Sequence, residues 1–378
     1  NRRVSYPPLL GERFNAFKNF IKFNFMKTST HLLLLAMMLC IAIVLEPVTT
    51  NACSRVVYLG PNSTVITARS MDWKEDIKSN IWVFPRGMER RSESGPNSMR
   101  WTSRYGSVTV SGYEVATTDG MNEKGLMANL LWLAESKYPS MTSDKKTLAI
   151  SLWAQYVLDN FATVAEAVEA LRREDFIVVT AETPGGTGIG LATLHLSLSD
   201  ATGDSAIFEY IDGKLVIHHG REYQVMTNSP TYEKQLALYQ YWKEIGGTTM
   251  LPGTNRAADR FARASFYVQA IPQIDNTRVA VASMFSVIRN VSVPLGISTP
   301  NQPNISSTQW RTVADHTNLL YYYESALSPN VFWLDLKQLD FSPDAGVKKL
   351  SVINQEVYAG NAMEELVAAK PFTFMGLK

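Results

Sequence analysis

A cysteine that begins a polypeptide carries a nucleophile and a base in one residue. The thiol attacks, and the free α-amino group, with an ordinary pKa of about 8, takes the thiol proton at neutral pH. Cys53 is placed to become such a residue, because it follows Thr50-Asn51-Ala52 directly. Small residues at the last and third-last positions before a bond suit a signal peptidase, which predicts a cut between Ala52 and Cys53. The only other cysteine, Cys40, lies ahead of that cut, so Cys53 keeps no disulfide partner. A buried small hydrophobe would be the ordinary role of a lone cysteine; its position at a new N-terminus favours a chemical one.

The residues before the cut fit export. Residues 1–25 precede the first methionine, Met26, and read as an upstream extension. From Met26 the chain shows a positive end at Lys27, an apolar run from His31 to Leu45, and a helix-breaking Pro47. The run is short for a spanning helix, which needs about 20 residues. Residues 26–52 are therefore expected to be a signal peptide and 53–378 a single exported, periplasmic catalytic domain. A signal ending at a cysteine can also mark a lipoprotein, a surface module with an acylated Cys53. Lipidation wants an aliphatic residue three before the cysteine and small ones beside it, and Thr50 and Asn51 fit that poorly.

Two charged residues can tune the thiol. Arg69 and Asp72 sit in Arg69-Ser70-Met71-Asp72-Trp73, at the end of a strand that can return beside residue 53. A guanidinium near the thiol favours the thiolate, and a carboxylate can orient the α-ammonium group. The same spacing also describes an Arg–Asp surface pair in a turn. Trp73 and Trp132 could form an aromatic wall for an apolar group, or simply fill core. No HExxH or paired CxxC motif suggests a metal, and His218 and His219, adjacent on a strand, point to opposite faces. No metal or cofactor is expected.

Strands are predicted at 54–60 and 64–70, joined by Gly60-Pro61-Asn62-Ser63 as a hairpin, and at 106–118, 125–133, 191–198, 205–211, 214–219 and 222–228. Asp212-Gly213 reads as a tight turn. Helical periodicity covers 145–160 and 163–173, the second opening on a Thr163-to-Glu166 capping box, then 255–271 and 279–290. Strands return at 308–324 and 331–337. That order predicts antiparallel sheets covered by helices, an α+β fold, rather than an alternating parallel one. The composition is ordinary: 46% hydrophobic residues and 36 Lys+Arg against 35 Asp+Glu. A net charge of +1, with no basic stripe, gives no footprint for nucleic acid.

Several segments, in order, resemble the choloylglycine hydrolase family, which includes penicillin V acylases and bile salt hydrolases among the N-terminal-nucleophile hydrolases. They are Ala52-Cys53-Ser54-Arg55, Ala68 to Trp73, Gly120 to Leu126, Met226-Thr227-Asn228-Ser229-Pro230, Leu251 to Asn255, Arg260-Phe261-Ala262-Arg263 and Asn290 to Pro294. The resemblance implies an αββα four-layer sandwich, a homotetramer, and hydrolysis of a linear amide without a cofactor. It implies Cys53 as nucleophile, Arg69 and Asp72 as the charged pair, Asn228 as a side-chain donor to the oxyanion, and Arg263 as a second active-site arginine. Trp132 falls where some relatives have an asparagine whose backbone N–H is the other oxyanion donor. Conjugated bile salts head the expected substrates, with penicillin V and acyl-homoserine lactones as alternatives.

Overall fold

The chain turns back on itself at Gly60-Pro61-Asn62-Ser63. Gly60 N–H bonds Thr64 O and Thr64 N–H bonds Pro61 O, while Asn62 and Ser63 take positive φ. The turn joins β1 (Ser54–Leu59) to β2 (Val65–Trp73) in an antiparallel pair with Ser54 opposite Ser70. The computed structural model describes residues 53–184, 190–298 and 306–377, which fall in the unit Thr50–Lys378. The expected extension, signal peptide and Ala52 side of the cut lie outside the described residues.

Two large sheets hold the molecule together. The first has nine strands in the order Val367–Ala368, Lys348–Leu350, Ile81–Phe84, Ser107–Gly112, Ala116–Asn122, β3 (Met127–Trp132), β4 (Leu194–Ser199), Ser205–Ile211 and Lys214–His219. The second has seven: Val225–Met226, β1, β2, β5 (Ser307–Asp315), Leu320–Ser325, Val331–Asp335 and Gly360–Asn361. Two helices, α1 (Trp153–Asn160) and α2 (Val164–Arg172), cover the outer face of the nine-stranded sheet, where Ala128, Leu130, Leu196 and Leu198 pack with Trp153, Val157 and Val168. On β3 the alternate residues Met127 and Leu131 point the other way, into the core shared with the second sheet.

The facing sides of the sheets carry unusual polarity. From β1, Arg55 reaches across to donate to Leu198 O at 2.7 Å; from β2, Thr67 bonds Ser199 at 2.8 Å and Arg69 donates to Leu130 O at 3.2 Å. The opposite face of β1 and β2 is covered by α4 (Ala257–Ala270) and α5 (Thr277–Asn290), which follow α3 (Tyr232–Ile245) in the chain. Helices, sheet, sheet, helices is the expected α+β four-layer sandwich.

The elements differ from the sequence reading in several places. The expected strand 222–228 shortens to Val225–Met226, and strands such as Ile81–Phe84 and Lys348–Leu350 were not predicted. Four further differences have a local reason. The expected strand 106–118 is two strands, broken where Tyr113 and Glu114 adopt positive φ. The segment 145–160 begins as the strand Lys146–Ala149, paired in parallel with Phe176–Val179, and becomes helical only after a short 3₁₀ turn. Short apolar runs do not declare which of the two they will be. The span 308–324 divides at His316–Leu319 into two strands. Helix α3 was not foreseen, because only Tyr232 and Gln235 are buried along its 14 residues and it shows no clear apolar face. The capped start of α2 is as expected: Thr163 accepts from Glu166 N–H, and Glu166 accepts in turn from Ala162 N–H.

Candidate active site

Cys53 enters β1 from between the sheets, and β2 runs beside it. Its Sγ lies 3.5 Å from Asp72 N and 3.6 Å from Asp72 O, so the thiol sits against the end of β2. The main-chain nitrogen of Cys53 donates to Asn228 Oδ1. That oxygen also accepts from Arg260 Nη2 at 2.8 Å, while Asn228 Nδ2 donates to Trp132 O at 2.7 Å. Asn228 therefore ties the start of β1 to the end of β3, fixed from behind by Arg260.

The arginine that helix α4 brings into contact with Cys53 is Arg260, whereas the expected Arg263 lies outside those contacts. Arg260 is fully buried; its Nη1 donates to Cys53 O at 2.5 Å and to Ser54 Oγ at 2.6 Å. Arg263, one turn later, donates instead to Pro252 O at 2.7 Å and Thr254 O at 2.8 Å, bracing the segment that leads into the helix. Both arginines were visible in one motif. Spacing of three residues puts both on the same side of a helix, so the sequence does not say which reaches the cysteine.

Arg69 and Asp72 occupy opposite faces of β2. The Arg69 guanidinium lies between the sheets, 4.4 Å over the Trp310 ring and 3.9 Å from Asp119, whose carboxylate also accepts from Asn129 and the Tyr321 hydroxyl. Asp72 faces β5, where Thr308 Oγ1 donates to Oδ1 at 2.5 Å. Neither Asp119 nor Thr308 was singled out from the sequence. Thr308 lies 236 residues from its partner and outside every quoted segment; Asp119 immediately precedes one.

The charges act on the thiol in opposite directions. Burial pushes the Cys53 thiol above its ordinary 9.0, opposed by Arg69, by the Asp72 backbone contact and by Arg260. The resting group is thus a neutral thiol, and attack on a carbonyl requires a base within the site. The described histidines are engaged elsewhere: His195 with Glu209, His219 with Asp204, and His316 with Thr67 and Gly125. His218 packs at a tilt against the Tyr232 ring, with centroids 4.9 Å apart. Among the described residues no cluster of His, Cys, Asp or Glu could hold a metal ion.

The thiol opens on a pocket of about 700 Å³ of empty space, its mouth included. Trp73 and Trp132 stand together in its wall with ring centroids 5.5 Å apart, and Trp73 Nε1 donates to Tyr113 Oη at 2.6 Å. Leu130, Leu194 and Ile77 make the lining almost wholly apolar. The ladder also orients a donor. Leu133 N–H bonds Thr193 O, so the antiparallel alternation turns the Trp132 N–H to the other edge of β3, beyond Asn129, where the pairing with Ala116–Asn122 ends.

The chain is a linear-amide hydrolase, as its comparison with protein families shows. The match to the model of "linear amide C–N hydrolases, choloylglycine hydrolase family" covers residues 53–348, and the chain belongs to that family. It is 53% identical over 361 residues to the penicillin V acylase of Pectobacterium atrosepticum, with 89% of this chain and 96% of the relative covered. A penicillin V acylase structure from Agrobacterium tumefaciens matches with 63% identity and a TM-score of 0.80, over 86% of this chain and all of that one. A bile salt hydrolase/transferase of Clostridium perfringens is 26% identical over 296 residues, covering 71% of this chain and 88% of the relative.

Asp72 gives the site a measurable pH dependence. Burial raises its carboxyl from 3.8 to about 6, opposed by Arg260, the Thr308 hydrogen bond and Arg69. Folding thus favours the protonated form: this residue's stabilising contribution is complete below pH 3.8 and is lost as pH rises through about 6. The ionised carboxylate needed to hold an ammonium group is conversely lost as pH falls through the same value. The acid limb of kcat/KM is expected near pH 6, and Thr308→Val should move it upward by removing a hydrogen bond to the charged form. A limb unmoved in Thr308→Val would assign it to another group.

Proposed function

We propose that the mature chain begins at Cys53 and cleaves an apolar acyl group from a small polar amine, with penicillin V ahead of conjugated bile salts as substrate. The observation that carries this reading is the Cys53 residue, its nitrogen held by Asn228 and its thiol against Asp72, in the lining of an apolar pocket. In the proposed reaction the α-amino group of Cys53 takes the thiol proton, and Sγ attacks the amide carbonyl. The oxyanion is met by Asn228 Nδ2 and the Trp132 N–H, with Asn228 Nδ2 exchanging Trp132 O for the new acceptor. The Cys53 ammonium protonates the leaving nitrogen, and water then hydrolyses the thioester to the free acid and thiol.

The substrate order rests on likeness. The 53% identical relative and the 63% identical structure are penicillin V acylases, whereas the bile salt hydrolase is far more distant, which reverses the order suggested by sequence resemblance. Bile salts stay second, on the strength of the more distant bile salt hydrolase/transferase, and acyl-homoserine lactones third. Arg69 and Asp72 are proposed to bias the thiol and hold the ammonium group. Trp73 and Trp132 are proposed to contact the acyl group. Export to the periplasm, removal of residues 26–52 and assembly as a homotetramer are part of the same proposal, supported by the segment before Cys53 and by family resemblance. A lipid-modified Cys53 is disfavoured by its 3% exposure.

The test is amine release by protein beginning at Cys53, beside Cys53→Ser, on penicillin V, glycine- and taurine-conjugated bile salts and acyl-homoserine lactones. Turnover that disappears in Cys53→Ser, fastest with penicillin V, is expected. Undiminished turnover in Cys53→Ser would remove Cys53 from the reaction.

A further inference from the structure

The C-terminal residues Phe372–Leu377 cross the molecule as a strap. Phe372 packs edge-on against Trp82 and Phe84, with centroids 5.3 and 5.9 Å away, and Phe374 packs against Phe372 at 4.6 Å. Beyond these anchors, Met375 N–H donates to Val115 O at 2.9 Å and Ser151 Oγ donates to Met375 O at 2.6 Å. Leu377 N–H donates to Glu93 O at 2.9 Å. At Gly376 the strap runs so close to that segment that an added Cβ would lie 2.2 Å from Glu93 O. The backbone is thus fixed on both sides of Met375, and Met375 lines the same pocket as Cys53.

The wall at that point is built from Val115, Ile150, Ser151 and Met375, and none of them appears among the hydrogen-bond partners of Cys53. The nucleophile is held by β2, Asn228 and α4; Met375 reaches the pocket from the chain's other end. Most of the remaining lining comes from strands and their turns, whose side chains are set by ladder geometry. Methionine is unbranched, with three rotatable bonds and a polarisable sulfur, so it can refit around guests of different outline and meet an aromatic ring edge.

We infer that Met375 is a specificity-determining residue, the adjustable wall that sets the length and breadth of the acyl group admitted beside Cys53. The inference rests on the proposed role of the pocket as the acyl site. It assigns Met375 no part in bond breaking.

The test uses protein beginning at Cys53 as wild type, Met375→Leu, Met375→Ala and Met375→Trp. Two series are measured: kcat/KM on amides with straight-chain acyl groups from butanoyl to dodecanoyl and with phenoxyacetyl, and calorimetric binding of the matching free carboxylates. Met375→Ala is expected to move the optimum to longer chains, changing the long-to-short ratio by about tenfold, the size of a methylene's worth of pocket. Met375→Trp should move it to shorter chains, and Met375→Leu should keep the wild-type profile. A common loss across all acyl groups, or an unmoved optimum in Met375→Trp, would overturn the inference. If wild type cleaves none of the amides, the binding series decides alone. A shifted optimum there keeps Met375 as the size-setting wall and removes the amidase reading, whereas an unshifted one removes Met375.

Discussion

One extra residue ahead of Cys53 is expected to lower kcat by about 10²–10⁴-fold, the usual worth of a positioned general base. The structure shows why the loss should be chemical rather than structural. The Cys53 nitrogen donates to Asn228 Oδ1, and an amide N–H satisfies that acceptor as well as an amine does. An amide nitrogen, however, has no basic lone pair to take the thiol proton. Burial keeps the thiol neutral, and none of the described histidines is among the hydrogen-bond partners of Cys53. Protein beginning Gly-Cys53 should therefore melt like protein beginning at Cys53 while releasing amine about 10²–10⁴-fold more slowly, and removing the glycine with an aminopeptidase should restore full turnover. Equal rates from the two forms, with intact mass confirming both N-termini, would show that the α-amino group is not the base.

Arg260→Met should cost about 10²–10³-fold in kcat, comparable to removing an oxyanion donor outright. Arg260 Nη2 holds Asn228 Oδ1 and so fixes which way the amide faces; without it Asn228 is free to present oxygen where a donor is needed. Arg260 also donates to Cys53 O and Ser54 Oγ, so KM should change less than kcat. Arg263→Met, which removes hydrogen bonds to Pro252 O and Thr254 O and none to Cys53 or Asn228, should stay within about tenfold of wild type, about 1.4 kcal/mol in the barrier. Steady-state kinetics on the two variants separate these expectations. A larger loss from Arg263→Met would return that residue to the centre of the site.

Those two arginines also mark how far the sequence could be read. Residues close in sequence were the easiest: β1 and β2 form one hairpin, so Cys53, Arg69 and Asp72 come together through a turn readable from Gly60-Pro61-Asn62-Ser63. Asn228 was reached only through a recurring segment, since nothing local to β1 indicates it. Thr308 was out of reach because β5 joins β2 from the far end of the chain, and pairing partners that distant leave no mark in either segment. The layer order followed from the order of elements, whereas α3 escaped because a nearly solvated helix has no apolar stripe to betray it.

The division of the pocket has a bearing on how this enzyme can diversify. Its proposed nucleophile and donors are locked into paired strands and a buried arginine, where almost any replacement is paid for in folding. Its far wall is made of a hairpin turn and the segment Phe372–Leu377, anchored mainly through backbone atoms and two phenylalanines. Substitutions there alter the shape offered to a substrate while leaving the ladder intact. Libraries confined to residues 113–115 and 375 are thus a short route to new acyl preferences, and natural drift toward new substrates has the same path open to it.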